Sequence, residues 1–168
     1  MNVIEMNKGK SFEHDFRESA VKQNLWIMRI NDTYYNAKEY DPKAFVPKQA
    51  CDYLIHKDGE LYLLELKSTE KKYITIERDG TNGMIKQHQY EQLQKLNGEH
   101  EHGLLVLQFE RDVDQKTFFM PIDGFINFLD AKGKKSINVL DCVQYGGYQI
   151  PQMKARVHWW YDVKKALF

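Results

Sequence analysis

Two acidic residues in the segment DYLIHKDGELYLLELKS have the types and spacing expected of a metal-dependent hydrolytic site. Asp58 and Gly59 separate two strand-like runs, and this dipeptide suits a two-residue type I′ hairpin turn. If they form the turn, the hairpin register places Asp52 directly opposite Glu65, with Cβ atoms about 4.5 to 5.5 Å apart. Two carboxylates at this separation repel each other, and folding alone gives no reason to accept that cost.

A divalent cation between the two acids would remove their repulsion. Mg²⁺ in proteins is characteristically held by one or two carboxylates, several waters and a substrate phosphate, and Mn²⁺ is its expected substitute. Lys67 lies two residues after Glu65, so its side chain leaves the same face of the strand. Its ammonium can orient an attacking water and stabilise charge on a phosphate. We therefore predict Asp52 and Glu65 as metal ligands and, with Lys67, as catalytic residues of Mg²⁺-dependent phosphodiester hydrolysis.

The alternative for this short pattern is a surface hairpin whose acids and lysine form exposed ion pairs. The neighbouring residues argue against it, because Leu54 and Leu63 share the face that carries the two acids. The opposite face is also apolar, with Tyr53, Ile55, Tyr62, Leu64 and Leu66. A hairpin that is apolar on both faces is typical of a central, fully buried pair of strands. Charges buried there require partners or a metal ion.

Two predicted helices offer further residues to the site. Ser11 is a plausible N-cap for a helix from about 12 to 24, which places Glu13 in its first turn. A second helix over 84–96 carries Gln89 on its apolar stripe. Each residue also has a simpler interpretation: an acid favoured near a helix N-terminus for Glu13, and a buried amide satisfied by backbone groups for Gln89.

The remaining pattern alternates strands and helices, which predicts an α/β fold. Strands are predicted at 25–30, 103–109 and 117–122, helices over 124–132 (capped by Asp123 and ended by Gly133) and 136–144, and a helix or strand at the C-terminal end. No linker, repeat or low-complexity tract divides the 168 residues, so we expect one domain over 1–168. Cys51 and Cys142 lack CxxC spacing and are expected to be reduced structural thiols.

The overall charge is zero, which does not favour a nucleic-acid partner. The distribution is uneven, since residues 131–168 hold seven Lys/Arg against two acids and residues 99–130 hold two against seven. This polarity suits a protein with one DNA-facing side, although solvated charges spread around the fold are the alternative. No run approaches the roughly 18 apolar residues of a membrane span, and we expect a cytoplasmic protein without a membrane partner.

Four segments of the chain resemble the RecU family of Holliday junction resolvases, within the PD-(D/E)xK nuclease superfamily. They are NKGKSFE, ACDYLIHKDGELYLLELKST, IKQHQYEQLQKL and GKKSINVLDCVQYGGYQIP. The resemblance implies a restriction-endonuclease-like core, a mixed sheet flanked by helices, with Glu13 and Gln89 joining the catalytic residues. It also implies a homodimer that nicks two strands of a four-way DNA junction symmetrically, and a recombinase as a further partner.

The resemblance further implies that residues 31–51 form a stalk that enters the junction. The Tyr/Lys-rich composition of this segment fits DNA binding, and the predicted DNA-binding residues are Lys8, Lys10, Tyr34, Tyr35, Lys38, Lys43 and Lys48. The stalk is short for the family, Lys8 replaces an arginine, and Cys51 stands where the superfamily has proline, as in a divergent or phage-borne member. A less selective repair or restriction endonuclease, and a junction-binding recombination modulator with secondary cleavage, are the alternatives.

Overall fold

The computed structural model describes residues 8–30, 49–110 and 114–167, which form five helices and ten strands. The helices are α1 (Lys8–Lys22), α2 (Gln87–Leu96), α3 (Ile122–Lys132), α4 (Val139–Gln144) and α5 (Val163–Ala166). The strands are β1 (Trp26–Arg29), β2 (Tyr53–Lys57), β3 (Glu60–Thr69), β4 (Tyr73–Thr75), β5 (Glu101–Phe109), β6 (Lys116–Pro121), β7 (Ser136–Asn138), β8 (Tyr148–Gln149), β9 (Gln152–Ala155) and β10 (His158–Tyr161).

A six-stranded sheet in the order β1-β2-β3-β5-β6-β8 forms the centre of the fold. β3 and β5 are parallel, whereas the other neighbours in this sheet are antiparallel. Two small antiparallel pairs, β4–β7 and β9–β10, lie outside it. The predicted α/β fold with a mixed central sheet flanked by helices is therefore confirmed.

Both faces of the central sheet are covered by apolar side chains. On one face Phe16 of α1 packs in a cluster with Ile55 and Leu64 of the hairpin. On the other face Leu63 belongs to a cluster with Leu93 of α2 and residues of α3. The strands thus alternate their side chains between two cores, as predicted for a hairpin that is buried on both sides.

The β2–β3 hairpin has the turn and the register that its sequence predicts. Asp58 and Gly59 both have positive φ, at 54° and 91°, which a type I′ turn requires. The strands pair from Lys57 opposite Glu60 to Tyr53 opposite Leu64. Asp52 lies one residue beyond this ladder, and its N–H donates to the Leu64 carbonyl oxygen over 2.9 Å.

Two predicted helix caps are wrong. α1 already includes Lys8, so Ser11 lies inside the helix, and Glu13 lies beyond the first turn of its described part. In α3 the cap position is Pro121 and Asp123 lies in the first turn, because β6 continues directly into a helix whose first residue, Ile122, is buried. Gly133 ends α3 in the left-handed conformation, at φ 61°, as predicted.

Tertiary pairing moves two other predicted boundaries. α2 begins at Gln87 rather than at residue 84, because Ile85 forms a parallel bridge with Ile76. The segment predicted as a helix over 136–144 begins with the short strand β7, which pairs with β4, and becomes helical only at Val139. Local periodicity cannot anticipate either pairing, since β4 and β7 are distant in sequence and the Ile76–Ile85 bridge depends on the loop that folds between its two residues.

The loop before α2 depends on a close approach of two backbones at Gly83. A Cβ atom added there would lie 2.2 Å from the Glu77 nitrogen and 2.2 Å from the Ile76 carbonyl carbon. Gly98, in contrast, would bring a Cβ atom only against the flexible end of the Glu101 side chain.

We predict that Gly83→Ala lowers the free energy of unfolding by about 2 to 4 kcal/mol, because backbone atoms cannot move aside as a side chain can. Gly98→Ala is the matched control and should change it by less than about 1 kcal/mol. Urea unfolding of the two variants measures the difference. Equal effects of the two substitutions would contradict the close approach at Gly83.

Candidate active site

Asp52 and Glu65 come together at the end of the β2–β3 ladder. Glu65 is in the middle of β3 and only 1% exposed, whereas Asp52 is half-buried. The Leu66 N–H donates to Asp52 Oδ2 over 2.8 Å, and the two carboxyl groups are within hydrogen-bonding reach of each other. The hairpin therefore brings the two predicted ligands face to face, although regular pairing stops one residue earlier.

The two carboxyl groups resist losing both protons. Burial, reinforced by the charge of Asp52, raises the pKa of Glu65 to about 7, against the opposing effect of the Lys67 ammonium. Burial also raises the pKa of Asp52, opposed first by the hydrogen bond from Leu66 and then by the charge of Lys67. Near neutral pH the metal-free pair thus retains a proton in a large fraction of molecules.

Lys67 and Gln89 hold the same oxygen of Glu65. The Lys67 ammonium lies 2.7 Å from Glu65 Oε1, and Gln89 Nε2 donates to that oxygen as well. Gln89 Oε1 accepts the Lys86 N–H over 2.9 Å, which fixes the amide at the start of α2. The amide oxygen of Gln89 thus has the backbone partner expected of a buried glutamine, whereas its amide nitrogen contacts the predicted site.

Glu13 reaches the same region from α1. Burial raises its pKa, and the charge of Asp52 contributes next in the same direction, so the two carboxylates interact electrostatically. Arg29 of β1 opposes the shift, with Nη2 3.4 Å from Glu13 Oε2. Sequence reasoning missed Arg29, because its position depends on the pairing of β1 with β2 across the long segment between them.

A cleft of about 850 Å³ opens beside these residues. Glu13 and Lys67 line it, together with Lys8, Glu70 and Glu110 at its edge. Asp52 and Glu65 are not among its lining residues, but Lys67 lines it and contacts Glu65. A phosphate entering the cleft would therefore meet Lys67 next to the carboxylate pair.

The predicted DNA-binding residues divide into two groups. Lys8 lines the cleft, where its ammonium contacts Glu70 and lies 3.9 Å from Glu110, and Lys10 is exposed on α1. The others, Tyr34, Tyr35, Lys38, Lys43 and Lys48, lie outside the described residues, as does the proposed stalk apart from residues 49–51.

The donor set fits a divalent cation of the Mg²⁺ type. The described part of the chain contains no cluster of three or more His, Cys, Asp or Glu residues suited to a metal ion. Mg²⁺ needs only one or two carboxylates when water and a substrate phosphate complete its coordination, and Asp52 and Glu65 supply two. The neighbouring Cys51 does not add a thiolate, because burial raises its pKa to about 12.

Known proteins resemble this chain in family and in fold. The model of the family "RecU: Recombination protein U" matches residues 7–165. The fold is similar to a solved structure of Hjc, a Holliday junction resolvase from Archaeoglobus fulgidus, with a TM-score of 0.52 and 16% sequence identity. The match covers 84% of this chain and 95% of that chain. No curated protein has a significantly similar sequence.

Across the residues that the structure describes, the helices are too short or too polar to span a membrane.

The raised pKa of Glu65 leads to a prediction about stability without metal. In the folded chain the pKa of Glu65 is raised from its ordinary value of 4.5 to about 7. The free energy of unfolding therefore falls as the pH rises from about 4.5 towards 7. We predict that Glu65→Gln raises the free energy of unfolding in EDTA by on the order of 1 to 3 kcal/mol at pH 8, and much less at pH 5.

Glu70→Gln is the matched control, because Glu70 is an exposed acid whose removal should change stability little at either pH. Denaturant unfolding of both variants at the two pH values provides the measurement. A gain for Glu65→Gln that is equal at pH 5 and pH 8 would exclude the deprotonation of Glu65 as its cause.

Proposed function

Because the chain belongs to the recombination protein U (RecU) family, we propose that it is a metal-dependent endonuclease that resolves Holliday junctions by hydrolysing phosphodiester bonds. The observation that carries this proposal is the close pair of Asp52 and Glu65, in which Glu65 contacts Lys67, a residue that lines an open cleft. We take its 168 residues as a single nuclease domain.

Asp52 and Glu65 would hold the metal ion, with Mg²⁺ as the proposed cation and Mn²⁺ as its substitute. The Leu66 N–H occupies Oδ2 of Asp52, and Lys67 and Gln89 occupy Oε1 of Glu65. These contacts orient each carboxylate and leave its second oxygen for a shared ligand. A bound divalent cation supplies Lewis-acid activation of the phosphate and lowers the pKa of a coordinated water.

The remaining side chains have separate roles in the proposed reaction. Lys67 lines the cleft, and its ammonium would orient the attacking water and stabilise negative charge on the phosphate. Gln89 fixes the orientation of Glu65 through its amide. Glu13 contributes a further acid from α1, close enough to Asp52 for their charges to interact.

The proposed substrate is a four-way DNA junction, and the proposed active form is a homodimer that nicks two strands symmetrically. The Archaeoglobus fulgidus protein with the similar fold is itself described as a Holliday junction resolvase. Residues 31–51 are proposed to enter the junction as the stalk. A recombinase remains a proposed partner.

The site makes a direct prediction about catalysis. Asp52→Asn and Glu65→Gln should each lower the cleavage rate by at least about 100-fold, because a neutral amide is a poor ligand for a hard divalent cation. Binding of the junction should remain within a few-fold of the parent protein. Single-turnover cleavage in Mg²⁺ and electrophoretic binding in EDTA measure the two properties.

Asp79→Asn is the matched control for these variants. Asp79 is an exposed acid in a turn at φ 51°, a conformation that asparagine tolerates, so the change removes one charge without touching the site. Its cleavage rate should equal that of the parent. Full activity of Asp52→Asn would exclude Asp52 as a required ligand.

The substrate preference can be tested on the parent protein with a four-way junction, a duplex and a single strand of matched sequence. We expect Mg²⁺-dependent cleavage of the junction at least about tenfold faster than of the duplex, and no cleavage in EDTA. Equal rates on junction and duplex would favour the less selective endonuclease. Junction binding without cleavage in Mg²⁺ or Mn²⁺ would favour the recombination modulator.

A further inference from the structure

The β9–β10 hairpin is a basic surface that the proposed site does not use. Residues 152–161 have the sequence QMKARVHWWY, which contains Lys154 and Arg156 and no acid. The hairpin lies outside the central sheet. Two of its apolar residues are also exposed, Met153 at 61% and Val157 at 81%. An exposed hairpin that combines cations with uncovered apolar side chains is typical of an interaction surface.

Buried polar contacts attach this hairpin rigidly to α1. Asp15, which is 5% exposed, accepts the Trp159 N–H over 2.9 Å and lies 2.8 Å from Nδ1 of His158. Ser19, one turn further along α1, accepts the Tyr161 N–H over 3.1 Å. The ring of Tyr161 is fully buried in the core. The hairpin therefore keeps a fixed position relative to α1.

The same helix also carries a residue of the proposed active site. Glu13 lines the catalytic cleft, whereas Asp15, two residues later, anchors the hairpin. Residues two apart on a helix face different directions. α1 consequently connects the cleft on one side with the hairpin on another, so that a ligand held by the hairpin has a defined position relative to the carboxylate pair.

A second pocket makes the hairpin surface continuous with the catalytic cleft. This pocket, of about 240 Å³, shares Lys8, Phe12 and Glu110 with the cleft and is also lined by Lys154 and Trp159 of the hairpin. The Lys154 ammonium lies 5.8 Å from the centre of the Trp159 ring. A cation beside an aromatic ring suits the phosphates and bases of a nucleic acid strand.

We propose that the β9–β10 hairpin is a second DNA-contacting surface, with Lys154 and Arg156 binding backbone phosphates of the DNA arm that leaves the catalytic cleft. This inference rests on the proposed nuclease function and names where its substrate continues beyond the cleft. The absence of acids from the hairpin and its continuity with the cleft favour a polyanion over an acidic or apolar protein partner. The hairpin supplies two of the seven Lys/Arg of the basic region 131–168.

The test removes the two cations from the hairpin. Lys154→Ala/Arg156→Ala is compared with Lys164→Ala/Lys165→Ala, which removes the same charge from exposed residues of α5. The Lys164 N–H contacts Gln23, just after the C-terminal end of α1. Since α1 has 15 residues, this control lies about 20 Å from the Lys8 end, where the cleft and the second pocket open.

Both double variants are made in the Asp52→Asn background, so that a fluorescently labelled four-way junction stays uncut during anisotropy titrations in EDTA. We expect the hairpin variant to bind the junction about 5- to 30-fold more weakly than the background protein at 100 mM salt. The slope of log affinity against log salt concentration should become shallower by the equivalent of about two phosphate contacts. The α5 variant should bind within about twofold of the background protein. Equal melting temperatures of all three proteins exclude loss of folding as the cause.

Two results would overturn the assignment of the hairpin. The first is junction binding by the hairpin variant that matches the α5 variant. The second is a change in sedimentation on removal of Lys154 and Arg156, which would make the hairpin a contact between copies of the chain. Failure of all three proteins to bind the junction would overturn the proposed function as well. This outcome differs from the first result because the background protein then also fails to bind.

Discussion

Two carboxyl groups that share one small volume inside the protein determine how this site must be built. Their mutual repulsion and their burial act in the same direction, and both favour the protonated form of Glu65. A fold that keeps them in place must supply compensating contacts, and it does so with the Leu66 N–H on Asp52 and with Lys67 on Glu65. The divalent cation that we propose would offset this local free-energy cost by neutralising the two charges.

The side chains around the carboxylate pair come from different parts of the chain. The hairpin brings the pair together, α2 adds Gln89, and α1 adds Glu13, whose own partner Arg29 belongs to β1. Each helix packs on a different face of the sheet, so the site lies where two separate cores meet. We therefore expect substitutions in either core to alter the site, because each core holds one of the two helices that contribute a residue to it.

The sequence predicts this structure best where the determinants are local. The Asp58-Gly59 turn sets the register of the hairpin, and that register alone places Asp52 near Glu65. Prediction fails where pairing between separate segments decides the outcome: the Ile76–Ile85 bridge shortens α2, and the pairing of β1 with β2 positions Arg29. Resemblance to RecU supplied roles for Glu13 and Gln89 that periodicity alone left open between catalytic and structural interpretations.

The parallel pairing of β3 with β5 has a consequence for how the chain becomes active. These neighbours are joined by residues 70–100, a long crossover that contains α2. Non-local parallel pairs form slowly, because the entropy of closing a long loop is lost before any contact compensates for it. The hairpin can assemble early and place both acids, but the amide of Gln89 arrives only when the crossover closes. A newly synthesised chain would therefore bring Asp52 and Glu65 together before Gln89 orients Glu65, which delays completion of the candidate site until folding is nearly complete.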